Sequence, residues 1–413
     1  MMIGINMECF NFTCQGESHK ATNKVCQDYS YSKTYENGTV VAIVCDGHGG
    51  KRYFRSHIGS QLAGEITEKN VKTFIESIDS ALFVEKPYTS SSAIATQITN
   101  ASFDKENNID KAFRQLFSSI IYEWNTKIVE HANNTPLTEE ELNDMENQWV
   151  EDFNNGKSLE KVYGCTLMVC VMTPTFWFAF HIGDGKCVSF DNEAKWSEPI
   201  PWDERCFLNK TTSLCDSTAI DEFRYCYQGK GEYPIAIFLG SDGVDDSFGA
   251  EENLVNFYVQ IIKEIIKESK DDVIKEIEST LPQLSKIGSK DDMSLAVIYN
   301  KESLITAFPK FISWQIDSVK KSISNLNKQI QEKKARLTEL ESEECITRSK
   351  QIEYNYTFAE VQKLYNEKTK QVKKIDILSQ ELYGDNYTPY MDNIGLGIEE
   401  TIVEKEKPKE SEQ

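Results

Sequence analysis

Histidine is scarce in this 413-residue chain, with five in all, and no Cys-x-x-Cys occurs. A zinc-ligand cluster therefore has too few partners. The eleven cysteines are scattered from Cys9 to Cys345. In a chain of this length they read as buried free thiols of a reducing compartment rather than as a disulfide framework. No stretch approaches the ~18 apolar residues that a membrane span needs. The opening residues, Met-Met-Ile-Gly-Ile-Asn-Met-Glu, have neither a basic region nor a long apolar run, so no signal peptide is expected. Positive charge is also short. Lys and Arg number 45 against 66 Asp and Glu, giving a net charge of −21 and a pI near 4.8. Such a surface repels DNA, RNA and anionic lipid at long range. The expectation is a cytoplasmic protein that binds neither nucleic acid nor membrane. An acidic chain can still hold phosphate locally if metal ions invert the field there.

What is present is enough apolar material, 39% of the chain, for one large domain with an appendage. The run Thr39–Cys45 reads as a buried strand after an Asn37-Gly38 turn. From about 51 to 135 the pattern turns helical, with Ile109, Phe113, Leu116, Phe117, Ile120, Ile121 and Trp124 on one stripe. Residues 134–160 are polar and acidic, with a capping box from Thr138 to Glu141, and read as an inserted helix and loop. Strands return at 165–171, 176–182, 235–239 and 294–299, and residues 251–285 are helical in period. After about 308, Ile316, Val319, Ile323, Leu326, Ile330, Leu337 and Leu340 follow heptad spacing with one gap at Lys333. Phe358, Val361, Tyr365, Val372, Ile375 and Leu382 form a second stripe. Two long amphipathic helices over 309–385 follow, folded as a hairpin or pairing with a partner or a second copy. Residues 386–413 read as a charged tail.

Four acidic clusters abut apolar strands: Asp46-Gly-His-Gly-Gly, Gly183-Asp-Gly, Ser241-Asp-Gly-Val-Asp-Asp and Lys290-Asp-Asp-Met-Ser. Each alone is a common turn sequence. Together, if the strand ends gather at one edge, they crowd several carboxylates that repel unless cations neutralise them. Mg²⁺ and Mn²⁺ prefer such oxygen ligands.

These motifs, with Gly164-Cys-Thr, Gly16-Glu-Ser-His and Cys26-Gln-Asp, resemble in order and spacing the metal-dependent protein phosphatases of type 2C, in a bacterial branch. The resemblance covers roughly residues 1–300. It implies an α+β fold, a β-sandwich flanked by helices in α-β-β-α layers, over residues 1–308. It implies two Mn²⁺ or Mg²⁺ ions. Asp46 would bridge them, the carbonyl of Gly47 would ligate one, and Asp242 and Asp291 would complete the other site. Asp28 would hold metal-bound waters, and Asp184, with Asp242 and near Asp246, would line a weaker third site. The implied reaction is hydrolysis of phosphoserine or phosphothreonine in a protein, such as the target of a cognate kinase. A water bridging the two metals attacks phosphorus, with His48 as general acid. His19 and His181 read as packing residues, and His57 and His131 as surface or helix residues.

The sequence departs from the family where many members carry a phosphate-gripping arginine. Asn23 stands there, and Lys20 and Lys24, as point charges without a fork, or Lys51 and Arg52, are the candidates to replace it. Gln27 stands where many members have glutamate. Two alternatives remain open at this point. One is a weak or inactive phosphatase-like module that works through its C-terminal helices. The other is a phosphohydrolase acting on a small molecule.

Overall fold

Strict alternation along the strands sets the architecture. In a computed structural model, residues 6–84, 88–90, 108–207, 210–231, 233–342, 347–387 and 389–390 are described. Eleven strands form among them: β1 (Glu8–Cys14), β2 (Tyr29–Thr34), β3 (Val40–Cys45), β4 (Tyr88–Ser90), β5 (Leu167–Met172), β6 (Trp177–Ile182), β7 (Lys186–Phe190), β8 (Trp196–Ser197), β9 (Arg224–Gln228), β10 (Ala236–Gly240) and β11 (Met293–Tyr299). They pair antiparallel in two sheets, ordered β1-β11-β10-β7-β8 and β2-β3-β5-β6-β9-β4. On β3, Val40, Ala42 and Val44 face the other sheet, where with Met168 and Cys170 of neighbouring β5 they meet Leu239, Ala296 and Ile298. Val41, Ile43 and Cys45 point the opposite way, into a second core with Val169, Phe178 and Phe180. Both faces of this strand are buried, and so it reads as a continuous apolar run.

Helices of the described residues alternate with these strands and follow them. They are α1 (Glu17–Ala21), α2 (Ser56–Ser77), α3 (Asn108–Asn134), α4 (Glu139–Asp144), α5 (Asn147–Asn154), α6 (Leu159–Val162), α7 (Asp242–Asp245), α8 (Glu251–Lys267), α9 (Lys270–Ile287), α10 (Lys301–Glu341) and α11 (Arg348–Tyr383). The stripe Ile109, Phe113, Leu116, Phe117, Ile120 and Trp124 of α3 packs with Val71 and Phe74 of α2 against the six-stranded sheet. On the other sheet, Tyr258 of α8 stacks on Phe238 of β10 at 4.5 Å. The α-β-β-α sandwich expected from the sequence is the observed fold.

Three local differences have physical causes. β4 falls inside the stretch read as helical. It is three residues long and pairs with β9, too short to show any period; residues 85–87 and 91–107 of that stretch lie outside the described residues. The helix expected over 251–285 is two, because the Ser269 side chain accepts from the Asp272 N–H and caps a new start. In the insert, Thr138 and Glu141 form the capping box, but three short helices follow rather than one.

Two compact units divide at Ala307 and Phe308. In the second, Ile312, Ile316, Val319 and Ile323 of α10 pack on Ile375 and Leu378 of α11. Arg336 pairs with Glu353 at 2.7 Å, and Lys333, the gap in the heptad stripe, pairs with Glu360 at 2.6 Å. The two helices therefore run antiparallel. The expected tail lies outside the described residues beyond Tyr390.

Candidate metal centre

The strand ends converge at one end of the sandwich. Asp46 follows β3, and its N–H donates to Thr166 Oγ1 at 3.0 Å while its carbonyl accepts from the Thr166 N–H at 2.8 Å. Asp184 follows β6 after Gly183, whose φ of 130° and close approach to Thr166 admit no side chain. The Gly183 N–H donates to Thr212 Oγ1 at 3.0 Å. Asp242 opens α7 after β10, where the Ser294 N–H donates to Ser241 Oγ at 2.9 Å. Asp291 follows Lys290, whose φ of 67° is unusual for a side-chain-bearing residue. That turn is held by Ser18, whose N–H and hydroxyl both donate to the Lys290 carbonyl.

Asp46, Asp184 and Asp242 each bring a carboxylate oxygen within 4.8 Å of the others. Together with Asp28, Gly47, His48, Asp246, Asp291 and Asp292 they line one cavity of about 990 Å³. Burial, reinforced by the charge of Asp28, holds Asp46 well above the usual carboxylate range. Asp242 is raised first by the Asp46 charge and then by burial. Asp28 is raised by burial and then by Asp292 and Asp242. Asp28 Oδ2, shut off from solvent, has no hydrogen-bond partner. An all-oxygen donor set, crowded, desolvated and with an orphaned carboxylate oxygen, fits hard divalent cations.

The basic residues near the centre fall in two places. Lys24 Nζ donates to the Gly49 carbonyl at 2.6 Å, and Lys20 is exposed. Neither lines the cavity, whereas Lys161, Arg205 and Lys210 do. Lys161 pairs with Asp216 at 2.9 Å, and Arg205 grips Asp203 through Nε and Nη2 at 2.9 and 2.8 Å. Lys161 lies on α6, just past the insert, and Arg205 and Lys210 in the 203–222 loop, outside the acidic motifs and without any periodic signal.

His19, Gln27, His48 and His181 are fixed by specific partners. His19 Nδ1 lies 2.9 Å from Asp292 Oδ2, and Nε2 lies 3.7 Å from Asp291 Oδ1. Asp292 also accepts from the N–H groups of Gly16 and Gln27, each at 2.6 Å. Against the upward push of burial, the bonds from His19, Gln27 and Gly16 hold Asp292 below its ordinary range. Gln27 Nε2 donates to the His48 carbonyl at 3.0 Å and to Ser56 Oγ. A glutamate there would offer no donor to that carbonyl. His48 Nε2 lies 2.7 Å from Ser213 Oγ, and its ring meets Tyr53 edge-on. Burial pushes its pKa down to about 4 against the pull of Asp216, so the free imidazole is neutral at neutral pH. His181 is packed as read, beside Arg224.

No helix among the described residues is long and apolar enough to cross a membrane. Every cysteine among them is a free thiol, Cys345 lying outside them. Among curated proteins no relative matches. Solved structures similar to this chain include serine/threonine phosphatase Stp1 from Staphylococcus aureus, at 13% identity over 72% of this chain and 97% of that one, with a TM-score of 0.40. The serine/threonine phosphatase of S. agalactiae is 15% identical over 71% and 99%, with a TM-score of 0.39. PppA from Pseudomonas aeruginosa, described as a key regulatory component of T6SS, is 15% identical over 71% and 97%, with a TM-score of 0.40. The sequence model described as Protein phosphatase 2C matches residues 15–281, and the chain belongs to that family of metal-dependent serine/threonine phosphatases.

Proposed function

We propose that this protein hydrolyses phosphoserine and phosphothreonine in protein substrates directly, with two divalent cations, Mn²⁺ or Mg²⁺. Asp46, the Gly47 carbonyl, Asp242 and Asp291 would hold the two, and Asp184 with Asp246 and Asp242 a weaker third. The observation that carries the reading is the convergence of separate strand ends on one cavity, with carboxylates raised by burial and by neighbouring charge. When bound, the cations would supply Lewis-acid charge and lower the pKa of a water toward neutrality.

The chain's own residues do the rest. The raised carboxylates Asp28, Asp46 and Asp242 release protons as positive charge enters the cavity. Lys161, Arg205 and Lys210 are the cations of the cavity lining, the first two already paired with Asp216 and Asp203, and Lys210 is the one we assign to a phosphate dianion. Cys215, the thiol on the described cavity wall, is raised by burial above its ordinary pKa and makes a poor nucleophile. That supports direct hydrolysis over a covalent phosphoenzyme. His48 delivers a proton to the departing alkoxide once a bound phosphate dianion draws its pKa upward, as Asp216 already does in part. The free thiols support a cytosolic setting.

The test is release of phosphate from a phosphothreonine peptide and from a small phosphomonoester, with Mn²⁺, Mg²⁺ or EDTA, beside Asp242→Ala. Cation-dependent turnover of the peptide, lost in EDTA and in the variant, is the expected result. Turnover of the small ester alone would transfer the assignment to a small-molecule phosphohydrolase. A folded protein without turnover on either would leave a phosphoprotein-binding module.

A further inference from the structure

The insert at 134–160 is fastened to the start of α2 by one side chain. Arg55 directly precedes α2, nine residues after Asp46, and is 2% exposed. Its Nε and Nη2 donate to the two carboxylate oxygens of Glu141 at 2.7 and 3.0 Å. Nη1 donates to the Thr135 carbonyl at 2.8 Å and to the Tyr163 hydroxyl at 3.3 Å, and Nη2 donates to the Pro136 carbonyl at 3.0 Å. The five bonds match the five N–H donors of a guanidinium. The Phe153 ring lies 4.9 Å from its centre. Glu141 is itself fixed, since its Oε2 accepts from the Thr138 N–H at 2.8 Å. Every one of these side-chain hydrogen-bond partners comes from the insert or from the segment just past its end.

Two routes lead from Arg55 to the reacting groups. Along the main chain, its N–H donates to the Val162 carbonyl at 3.1 Å, and two residues on the Gly164 carbonyl accepts from the His48 N–H at 3.1 Å. Thr166 then pairs with Asp46 in both directions. Through α2, Ser56 Oγ donates to the His48 carbonyl at 2.9 Å. Tyr163 is pressed against the same helix. A Cβ at Gly59 would fall 1.8 Å from the Tyr163 carbonyl oxygen, so the insert's exit and α2 touch backbone to backbone. Its hydroxyl is also held by His131 Nδ1 at 2.8 Å.

We infer that Arg55 is a positioning residue, and that the insert is a fixed brace for the Asp46–His48 loop rather than a lid over it. The inference rests on the metal-centre reading above. A lid must open, and opening here would strip a buried guanidinium of a forked carboxylate and two carbonyls at once. A lysine keeps the charge but cannot span Glu141, Thr135, Pro136 and Tyr163 together.

The test compares the full-length protein with Arg55→Lys and Glu141→Gln. Mn²⁺ affinity is measured by calorimetry, and kcat and KM on p-nitrophenyl phosphate, at a temperature where circular dichroism shows each variant folded. Loss of an outer partner of a ligand loop predicts Mn²⁺ binding weaker by about 10-fold and kcat lower by about 10-fold, with KM changed by less than about twofold. Glu141→Gln keeps the other arginine bonds and decides the matter if Arg55→Lys does not fold. Variants that melt earlier yet keep wild-type Mn²⁺ affinity and kcat would overturn the inference, leaving Arg55 a matter of stability alone. A wild type that binds Mn²⁺ but turns over no phosphoester would sink the activity reading, and the affinity shift would still decide the brace.

Discussion

Replacing Asp242 by asparagine should stabilise the metal-free protein while removing its response to Mn²⁺. The Asp242 carboxylate lies within 4.8 Å of those of Asp46 and Asp184. Two unit charges at that distance repel by about 3.5 kcal/mol at an effective dielectric constant near 20. Asparagine removes both repulsions and keeps the shape. Partial protonation of the cluster and residual solvent screening reduce the gain, so about 1–3 kcal/mol remains. The sign follows from proton counting. The folded-state pKa of Asp242 is raised above the ordinary aspartate value near 3.8. Above that value the unfolded chain therefore binds fewer protons, and stability falls as pH rises toward the folded pKa. The assay is thermal melting in EDTA at about pH 5 and about pH 8, then with Mn²⁺. Asp242→Asn should melt a few degrees above wild type at about pH 8, with the gap narrowing at about pH 5. Saturating Mn²⁺, at roughly 100 times Kd, should stabilise wild type by about 2.7 kcal/mol and the variant far less. A variant that melts below wild type in EDTA at the higher pH, or that gains as much from Mn²⁺, would refute the charge-crowding argument.

Three further outcomes are expected. His48→Gln should slow hydrolysis of a phosphothreonine peptide by about 10²-fold or more but p-nitrophenyl phosphate much less, because nitrophenolate leaves without a proton; equal losses on both would end the general-acid role. His19→Ala frees Asp291 and Asp292 from their shared histidine and should weaken Mn²⁺ by about 10-fold in calorimetry, an unchanged isotherm showing His19 to be packing after all. Burial pushes Asp245 up to about 8 against the pull of Lys186, so its folded-state proton is lost late; stability should fall by up to about 1.4 kcal/mol per pH unit between its unfolded and folded values, and Asp245→Asn should flatten that part of the metal-free melting profile.

Much of the sandwich is legible in the chain because burial on both faces leaves strands such as Val40–Cys45 continuously apolar. The short pairing of Tyr88–Ser90 with β9 is not, since three residues at a sheet edge carry no period. The acidic motifs are local, each a strand end and a turn, so Asp46, Asp184, Asp242 and Asp291 could be chosen before any coordinates. His19 could not be distinguished from a packing histidine, because what defines it is the distance to residues 272 and 273 positions away. The sequence offers Lys20 and Lys24 as basic candidates from their place beside Asn23, whereas the basic residues that line the cavity, Lys161, Arg205 and Lys210, carry no local signal that sets them apart.

The sequence alone determined the two-sided strands, the carboxylates at their ends, the capping box at Thr138 and Glu141, and the heptad stripes of the second unit. These depend on neighbours a few residues apart, where period and turn chemistry operate. Only the tertiary structure decided which charges meet. It brought Asp28 beside Asp46 and Asp242 and raised all three, pushed His48 down against Ser213, and turned Arg55 from one more basic residue after a glycine loop into the point where the insert is held. Repulsion, desolvation and forked hydrogen bonds depend on separations of a few ångströms between segments up to hundreds of residues apart, and no local pattern encodes them.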